Sequence, residues 1–194
     1  MLKILLLLSL SSVVVFAQEH HCAAPSYFEA TILQYDHYTN YYRRGKIFYD
    51  AFRKRVRLIE KTSEMETRPT VDMLLLFEEK KNYTINMKTG KCHQSQTEGE
   101  FHRIGIEKGD HFAQDMTIGV LPHDGVELSV WIRYENTTSS QGMHIHEFTH
   151  DHCIPFYHSF EGSHDGHKVH YHSSYFNVVT QVSDPDIFMV PKEC

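Results

Sequence analysis

What this chain lacks narrows its function before any motif is read. It contains no C-x-x-C pair, so a thiolate zinc site has no ligand pattern to start from. It has no G-x-S-x-G nucleophile elbow and no P-loop glycine pattern, and no cysteine is placed as a nucleophile. Adjacent carboxylates such as Glu78-Glu79 are ordinary surface chemistry. There is no linker, heptad, internal repeat or low-complexity tract, apart from a late enrichment in histidine. Basic residues are the minority, and their one cluster, Arg53-Lys54-Arg55 with Arg57, alternates like the solvated face of a strand. Binding to a nucleic-acid backbone, which needs clustered Lys and Arg, is therefore excluded.

Only one long apolar run occurs. Lys3 precedes Ile4 to Phe16, broken by Ser9, Ser11 and Ser12, and Val15-Phe16-Ala17 offers small residues where a signal peptidase reads. The run is shorter than the roughly 20 residues of a spanning helix. Residues 1–17 therefore read as a signal peptide, leaving a secreted chain without a transmembrane segment. Residues 18–194 are one domain's worth, enough for a sizeable core. With Lys3 removed, 18 basic against 25 acidic residues give a formal charge of −7.

Export changes the meaning of the cysteines. Cys22, Cys92, Cys153 and Cys194 all lie in the exported part, and an even count in an oxidising compartment reads as two disulfides. Spacing leaves all three connectivities open. Any of them closes long loops, each bridge contributing roughly 4 to 5 kcal/mol in the chain-entropy picture. Two sequons, Asn82-Tyr83-Thr84 and Asn136-Thr137-Thr138, are candidate N-glycosylation sites.

The apolar periodicity is that of strands. Tyr27 to Tyr35 and Lys46 to Ile59 read as strands around a turn at Arg43-Arg44-Gly45. Val71 to Glu78, Lys81 to Met87 and Val126 to Tyr134 follow, the last running into a loop at Glu135 to Gly142. Gln94 to Gln114 reads as loop with at most one short helix, Gly162 to Gly166 as a turn, and Val169 to Val182 as two strand-like pieces. This spacing predicts a mainly-β antiparallel sandwich or open barrel.

At this point the chain resembles the ependymin-related family over essentially its whole mature length. The resemblance is carried by Cys22-Ala23-Ala24-Pro25, by Tyr49-Asp50-Ala51 leading into Lys54-Arg55-Val56-Arg57, and by Thr89-Gly90-Lys91-Cys92. Further anchors are Asp151-His152-Cys153-Ile154-Pro155 and the closing Asp184-Pro185-Asp186-Ile187-Phe188 with Pro191 and Cys194. It implies two stacked, curved antiparallel sheets around a deep apolar pocket, similar to bacterial lipoprotein carriers. It also implies a homodimer, binding of a lipid or fatty acid, and an association with calcium and extracellular matrix. By matching positions it pairs Cys22 with Cys153 and Cys92 with Cys194. Vertebrate members carry a further cysteine pair that this chain lacks.

An apolar pocket between sheets suits acyl chains, because each buried methylene contributes about 0.8 kcal/mol with few polar contacts. Met73, Leu75, Phe77, Val130 and Ile132 lie on strands that could line it. The competing assignment for each is ordinary core.

His146-Glu147-Phe148-Thr149-His150 spells H-E-x-x-H. On a helix it would place two zinc ligands and a general base together. The segment lacks a helix stop and follows a turn-rich loop, so it reads as a strand, and no enzymatic role is expected. On a strand His144, His146, His150 and His152 would share one side, a candidate site for zinc or copper. His167, His170 and His172 form a looser second set. The reading favoured is a secreted, non-enzymatic glycoprotein that binds a hydrophobic ligand. The alternative is a structural matrix component that binds divalent metal through its histidine strand face and acidic surface, without lipid.

Overall fold

The computed structural model describes residues 22–60, 70–97, 99–120, 122–192 and 194. The expected signal peptide at 1–17 lies outside the described residues. Eleven strands carry the fold: β1 (Tyr27–Asp36), β2 (Tyr41–Asp50), β3 (Arg55–Glu60), β4 (Val71–Leu76), β5 (Lys81–Asn86) and β6 (Cys92–Gln96), then β7 (His111–Val120), β8 (Asp124–Asn136), β9 (Ser140–Thr149), β10 (Pro155–His164) and β11 (His167–Val179). Among the described residues a single 3-10 turn, Pro185–Phe188, follows, capped by the Asp184 carboxylate accepting from the Asp186 amide.

The mainly-β antiparallel class expected from the sequence holds. Its division into two sheets is corrected by the hydrogen bonding, which joins every strand in one sheet of order β6-β5-β4-β3-β2-β1-β11-β10-β9-β8-β7. β1 bonds along its length to both β2 and β11, so no break separates two halves. The expected turn at Arg43-Arg44-Gly45 lies instead inside β2. Gly45 is required there because a Cβ would sit 2.5 Å from the Ile59 carbonyl oxygen of β3. The expected strand Lys46 to Ile59 is cut at Ala51–Lys54, where the buried Asp50 carboxylate accepts from the Arg53 amide and Lys54 adopts φ 47°. The two pieces expected within Val169–Val182 are the single strand β11. The two-residue turn Asp165-Gly166, with φ 48° and 78°, joins β10 to β11 as a type I′ hairpin.

Cross-strand partners point to the same side of a sheet, so the register sorts the core into two faces. One face, here face A, carries Phe28, Ala30 and Ile32 of β1, Ile47 and Tyr49 of β2 and Leu58 of β3. The opposite face B carries Phe48, Leu74, Leu76 and Tyr83, packed under Phe188 with Ile187 and Val182. The C-terminal segment is held on face B by Cys92–Cys194 and by Arg57, which bonds Asp72 and donates to the Ile187 carbonyl at 2.6 Å.

Residues 97–110 link the sheet's two edge strands, and the 101–107 stretch of them covers face A. Fourteen residues reach at most about 50 Å when fully extended, whereas eleven strands laid flat would be about 48 Å across. The segment also turns at Glu107–Asp110 and pairs Gly105 with Ala23. That turn and that pairing use up the small excess of reach over width, so the segment fits a sheet curved toward face A better than a flat one.

Leu74, 1% exposed beneath Phe188, tests the face-B core. Leu74→Ala is expected to cost about 2–5 kcal/mol in urea unfolding of the oxidised protein; a loss below about 1 kcal/mol would mean that the C-terminal segment does not close this face.

Candidate functional site

The strand periodicity assembles the site in the second half of face A. In β9, His144, His146 and Phe148 share that face. β10 brings His158 opposite His146 and Phe160 opposite His144, while β8 adds Trp131 and Arg133. Phe160 fits because the residue beside it is Gly142, where a Cβ would lie 2.7 Å from its ring. Over these side chains passes the 102–107 stretch of the crossing segment.

Two clefts adjoin at His144. One, of about 180 Å³, runs under residues 102–107 and is bounded by Phe148, Pro155, Tyr175, His146 and His158. The other, of about 330 Å³, opens between Ser140, Phe160, Val169 and Tyr171.

The imidazoles are linked by short contacts. His144 Nδ1 lies 3.2 Å from His158 Nε2, and His144 Nε2 lies 2.9 Å from Glu135 Oε2. The His146 and His158 rings stack with centroids 4.6 Å apart and planes 6° from parallel. Arg133 Nη2 lies 3.5 Å from His146 Nε2. Arg133 is itself paired with Glu107 and lies 3.6 Å from the buried Asp110 carboxylate.

Desolvation dominates the protonation of this group. Burial, then Arg133 and His144, holds His146 down to about 3. Burial, then the charges of His146, His144 and Arg133, brings His158 to about 3. The His144 hydrogen bond is the leading cause that holds Glu135 below the usual carboxylate range. Burial pushes Tyr175 up to about 12.

The residues singled out from the sequence scatter differently. β9 ends at Thr149, so the alternation that joins His144 to His146 does not carry on through His152. His150 is exposed and pairs with Asp115 at 2.7 Å, and His152 sits in the following turn with φ 65°. Sequence reasoning misses His158, although it and His146 stand equally far from His152, the centre of that hairpin. Within H-E-x-x-H, His146 and Glu147 point to opposite faces, so the zincin arrangement does not form. His170 and His172 join His37 on the other face, with His37 and His170 stacked at 4.1 Å, while His167 pairs across the hairpin with His164.

Met73 and Leu75 lie on face A, Met73 packing on the β1–β3 core and Leu75 opposite Val56. Phe77 follows β4 and meets Phe101 edge-on at 5.3 Å. Val130 and Ile132 point to face B, so these five residues do not share one pocket. Asn136 is exposed at the end of β8, and Asn82 is half-buried in β5. Both disulfides have the pairing the resemblance implied, Cys22–Cys153 and Cys92–Cys194, with Cα separations of 5.5 and 5.2 Å.

Comparison with known proteins gives the family. The family model described as Ependymin matches residues 65–194. The chain belongs to the ependymin family. Ependymin-2 of Oncorhynchus mykiss is 27% identical over 158 residues, covering 77% of this chain and 66% of that protein. Mammalian ependymin-related protein 1 of Mus musculus is 22% identical over 174 residues, covering 89% of this chain and 75% of that one. Among solved structures, an uncharacterized conserved protein from Thermus thermophilus superposes with TM-score 0.54 at 10% identity, over 87% of this chain and 88% of that one, which bears on the fold alone. Among the described residues no helix is long and apolar enough to cross a membrane.

The low values at His146 and His158 have a signed consequence. An unfolded histidine titrates near 6.5, so between about pH 3 and 6.5 the unfolded chain binds more protons than the folded one. Their contribution to stability is complete above about pH 6.5 and is lost as pH falls. The charged and titratable groups around them include Arg133 and Glu135 of β8, His144 of β9, His102, Arg103, Glu107 and Asp110 of the crossing segment, and Tyr171 and Tyr175 of β11. The melting temperature in chelator-containing buffer is expected to drop by on the order of 10 °C from about pH 7 to about pH 4.5. H146Q/H158Q should show a visibly shallower drop; equal slopes in the two proteins would contradict the assignment.

Proposed function

We propose that this protein is a secreted, N-glycosylated, non-enzymatic carrier that holds a hydrophobic ligand, a fatty acid or related lipid, on face A of its sheet. The supporting observation is the pair of adjoining clefts walled by Phe148, Phe160, Tyr171, Tyr175 and Val169, with Arg133 and the imidazoles at their junction. Aromatic and aliphatic walls with a few convergent polar groups are the general form of a small-molecule site. Each methylene taken from water there contributes about 0.8 kcal/mol, and the polar junction would orient a carboxylate or headgroup. Family membership supports the same reading.

In this reading residues 1–17 direct export, Asn136 and Asn82 carry glycans, and the mature chain acts as a homodimer in the extracellular matrix. Calcium association follows from the acidic surface and the glycans. The exposed position of Asn136 at the end of β8 favours it as the principal glycosylation site.

Native mass spectrometry of the protein secreted from eukaryotic cells, never exposed to detergent, tests the carrier reading. The expected result is a dimer carrying extra mass that is released as fatty acid or phospholipid. Val169→Arg, at the mouth of the larger cleft, should lower lipid occupancy at least tenfold while leaving the circular dichroism unchanged. Bare protein that also refuses added lipid would overturn the proposal. In parallel, Asn136→Gln should remove one glycan's mass on a gel, and an unchanged band would place the modification elsewhere.

A further inference from the structure

The three histidines at the cleft junction do more than line it. Their ligand atoms all lie within 4.8 Å of one another. We propose that His144, His146 and His158 form a three-histidine site for a late first-row transition-metal dication, Zn2+ or Cu2+, whose open fourth position faces the cleft.

Three observations carry this together. The donors come from two paired strands, β9 and β10, whose register fixes them side by side. A site built on paired strands is more rigid than one on a loop. Next, His144 already has the outer-shell partner a metal ligand needs. Its Nε2 meets the Glu135 carboxylate at 2.9 Å, which keeps the proton on that nitrogen and leaves the Nδ1 lone pair toward His158. Finally, the surrounding charge suits a dication. Glu135, Glu107 and Asp110 outnumber Arg133, the one cation in contact with the trio among the described residues, and Arg133 is engaged by Glu107 and Asp110. Arg103, on the overlying segment, also borders this cleft, with its guanidinium bonded to the Ala24 carbonyl and Ser26, so three carboxylates face two arginines.

Ion binding asks the three side chains to rearrange. Imidazole nitrogens lie about 2.0–2.1 Å from zinc, so ligand atoms up to 4.8 Å apart must close up. All three rings lie within 11° of parallel, so the imidazoles must also rotate for their in-plane lone pairs to converge on one ion, and for His146 this means leaving Arg133. Three protein nitrogens plus one open position is the arrangement of an exchangeable zinc site, whereas closed structural sites use four protein ligands. The open position lies where the proposed carrier would place a ligand's polar end, but the metal site stands on the histidines alone and does not require that a lipid bind.

The test is isothermal titration of Zn2+ into the mature, secreted full-length protein after chelator treatment. One zinc per chain is expected. His158→Ala should weaken binding at least 100-fold, and Glu135→Gln, which leaves all three ligands in place, should weaken it about 10-fold. His150→Ala, at the exposed histidine paired with Asp115, should change nothing. Trp131, the chain's only tryptophan, stands opposite His146 on the same face, so Cu2+ at one equivalent should quench its fluorescence in wild type and not in His158→Ala. Should His158→Ala fail to fold, Glu135→Gln and the Trp131 signal decide the matter. Stoichiometric zinc that survives in His158→Ala but is lost in His150→Ala would overturn the proposal, as would no binding at micromolar zinc. Lipid occupancy, measured separately on the same samples, tells failure of this site from failure of the carrier reading.

Discussion

The structure depends on one covalent constraint: residues 97–110 must link the two edge strands of a single eleven-stranded sheet. A wide meander does not close on itself, and its edges are otherwise free to spread. Joined by so short a segment, they fit a sheet curved toward face A better than a flat one, and the joining segment becomes the cover of the concave side. The contacts along it follow from that position. Phe101 packs against Tyr49 and Phe77, the Tyr49 hydroxyl accepts from the Ile104 amide at 3.1 Å, and Glu107 reaches Arg133 on β8. Cys22–Cys153 ties the N-terminal residues, which pair with Ile104–Ile106, to the β9–β10 turn. The opposite face has its own cover, the C-terminal segment, fixed by the second disulfide.

Buried charge is arranged to suit these covers. Asp50 is fully buried and takes two hydrogen bonds from Arg55, whose guanidinium lies 4.3 Å from the centre of the Phe188 ring. Asp72 holds Arg57 in the same way, and Arg57 then reaches the Ile187 carbonyl. Both of these carboxylates are satisfied by a planar guanidinium from the neighbouring chain segment, which limits the desolvation cost. Through these arginines the charge on face B also holds the C-terminal segment. The cluster Arg53 to Arg57, which has the pattern of a solvated face in sequence, thus divides: Arg53 and Lys54 occupy an exposed turn, while Arg55 and Arg57 work beneath Phe188.

This division shows how far the sequence can be read. Alternation locates most strands, because a face buried on one side imposes a period of two, and the order of Cys22, Cys92, Cys153 and Cys194 within the family pattern supplies the pairing. Turn positions are harder. Arg43-Arg44-Gly45 carries turn-like residues, yet Gly45 is there for the close approach of β3, a tertiary cause that local sequence does not announce. The pocket residues fail to converge for a related reason. Which face a strand presents depends on register through the whole sheet, and β4 and β8 are separated by six strands, so Met73 and Val130 fall on opposite sides. His144 and His146 are legible as an H-x-H pair, but their third partner requires knowing that the hairpin turns about His152.

The same face therefore carries two chemistries, and the difference between them explains where space remains. In the first half, Phe28, Ile32, Ile47 and Leu58 meet Phe101 and Ile104, and apolar surface is closed against apolar surface. In the second half the equivalent inward positions hold His144, His146 and His158 among Phe148, Phe160 and Tyr171. Imidazole nitrogens must find partners when they leave water, and Glu135, Arg133 and the neighbouring rings supply them laterally, within the sheet. Among the described residues these imidazoles bond sideways and not to the cover, which is tied to this half through Arg133 by Glu107 and Asp110. The crossing segment consequently bridges this half without filling it, and the clefts are left where polar groups replaced the aliphatic core.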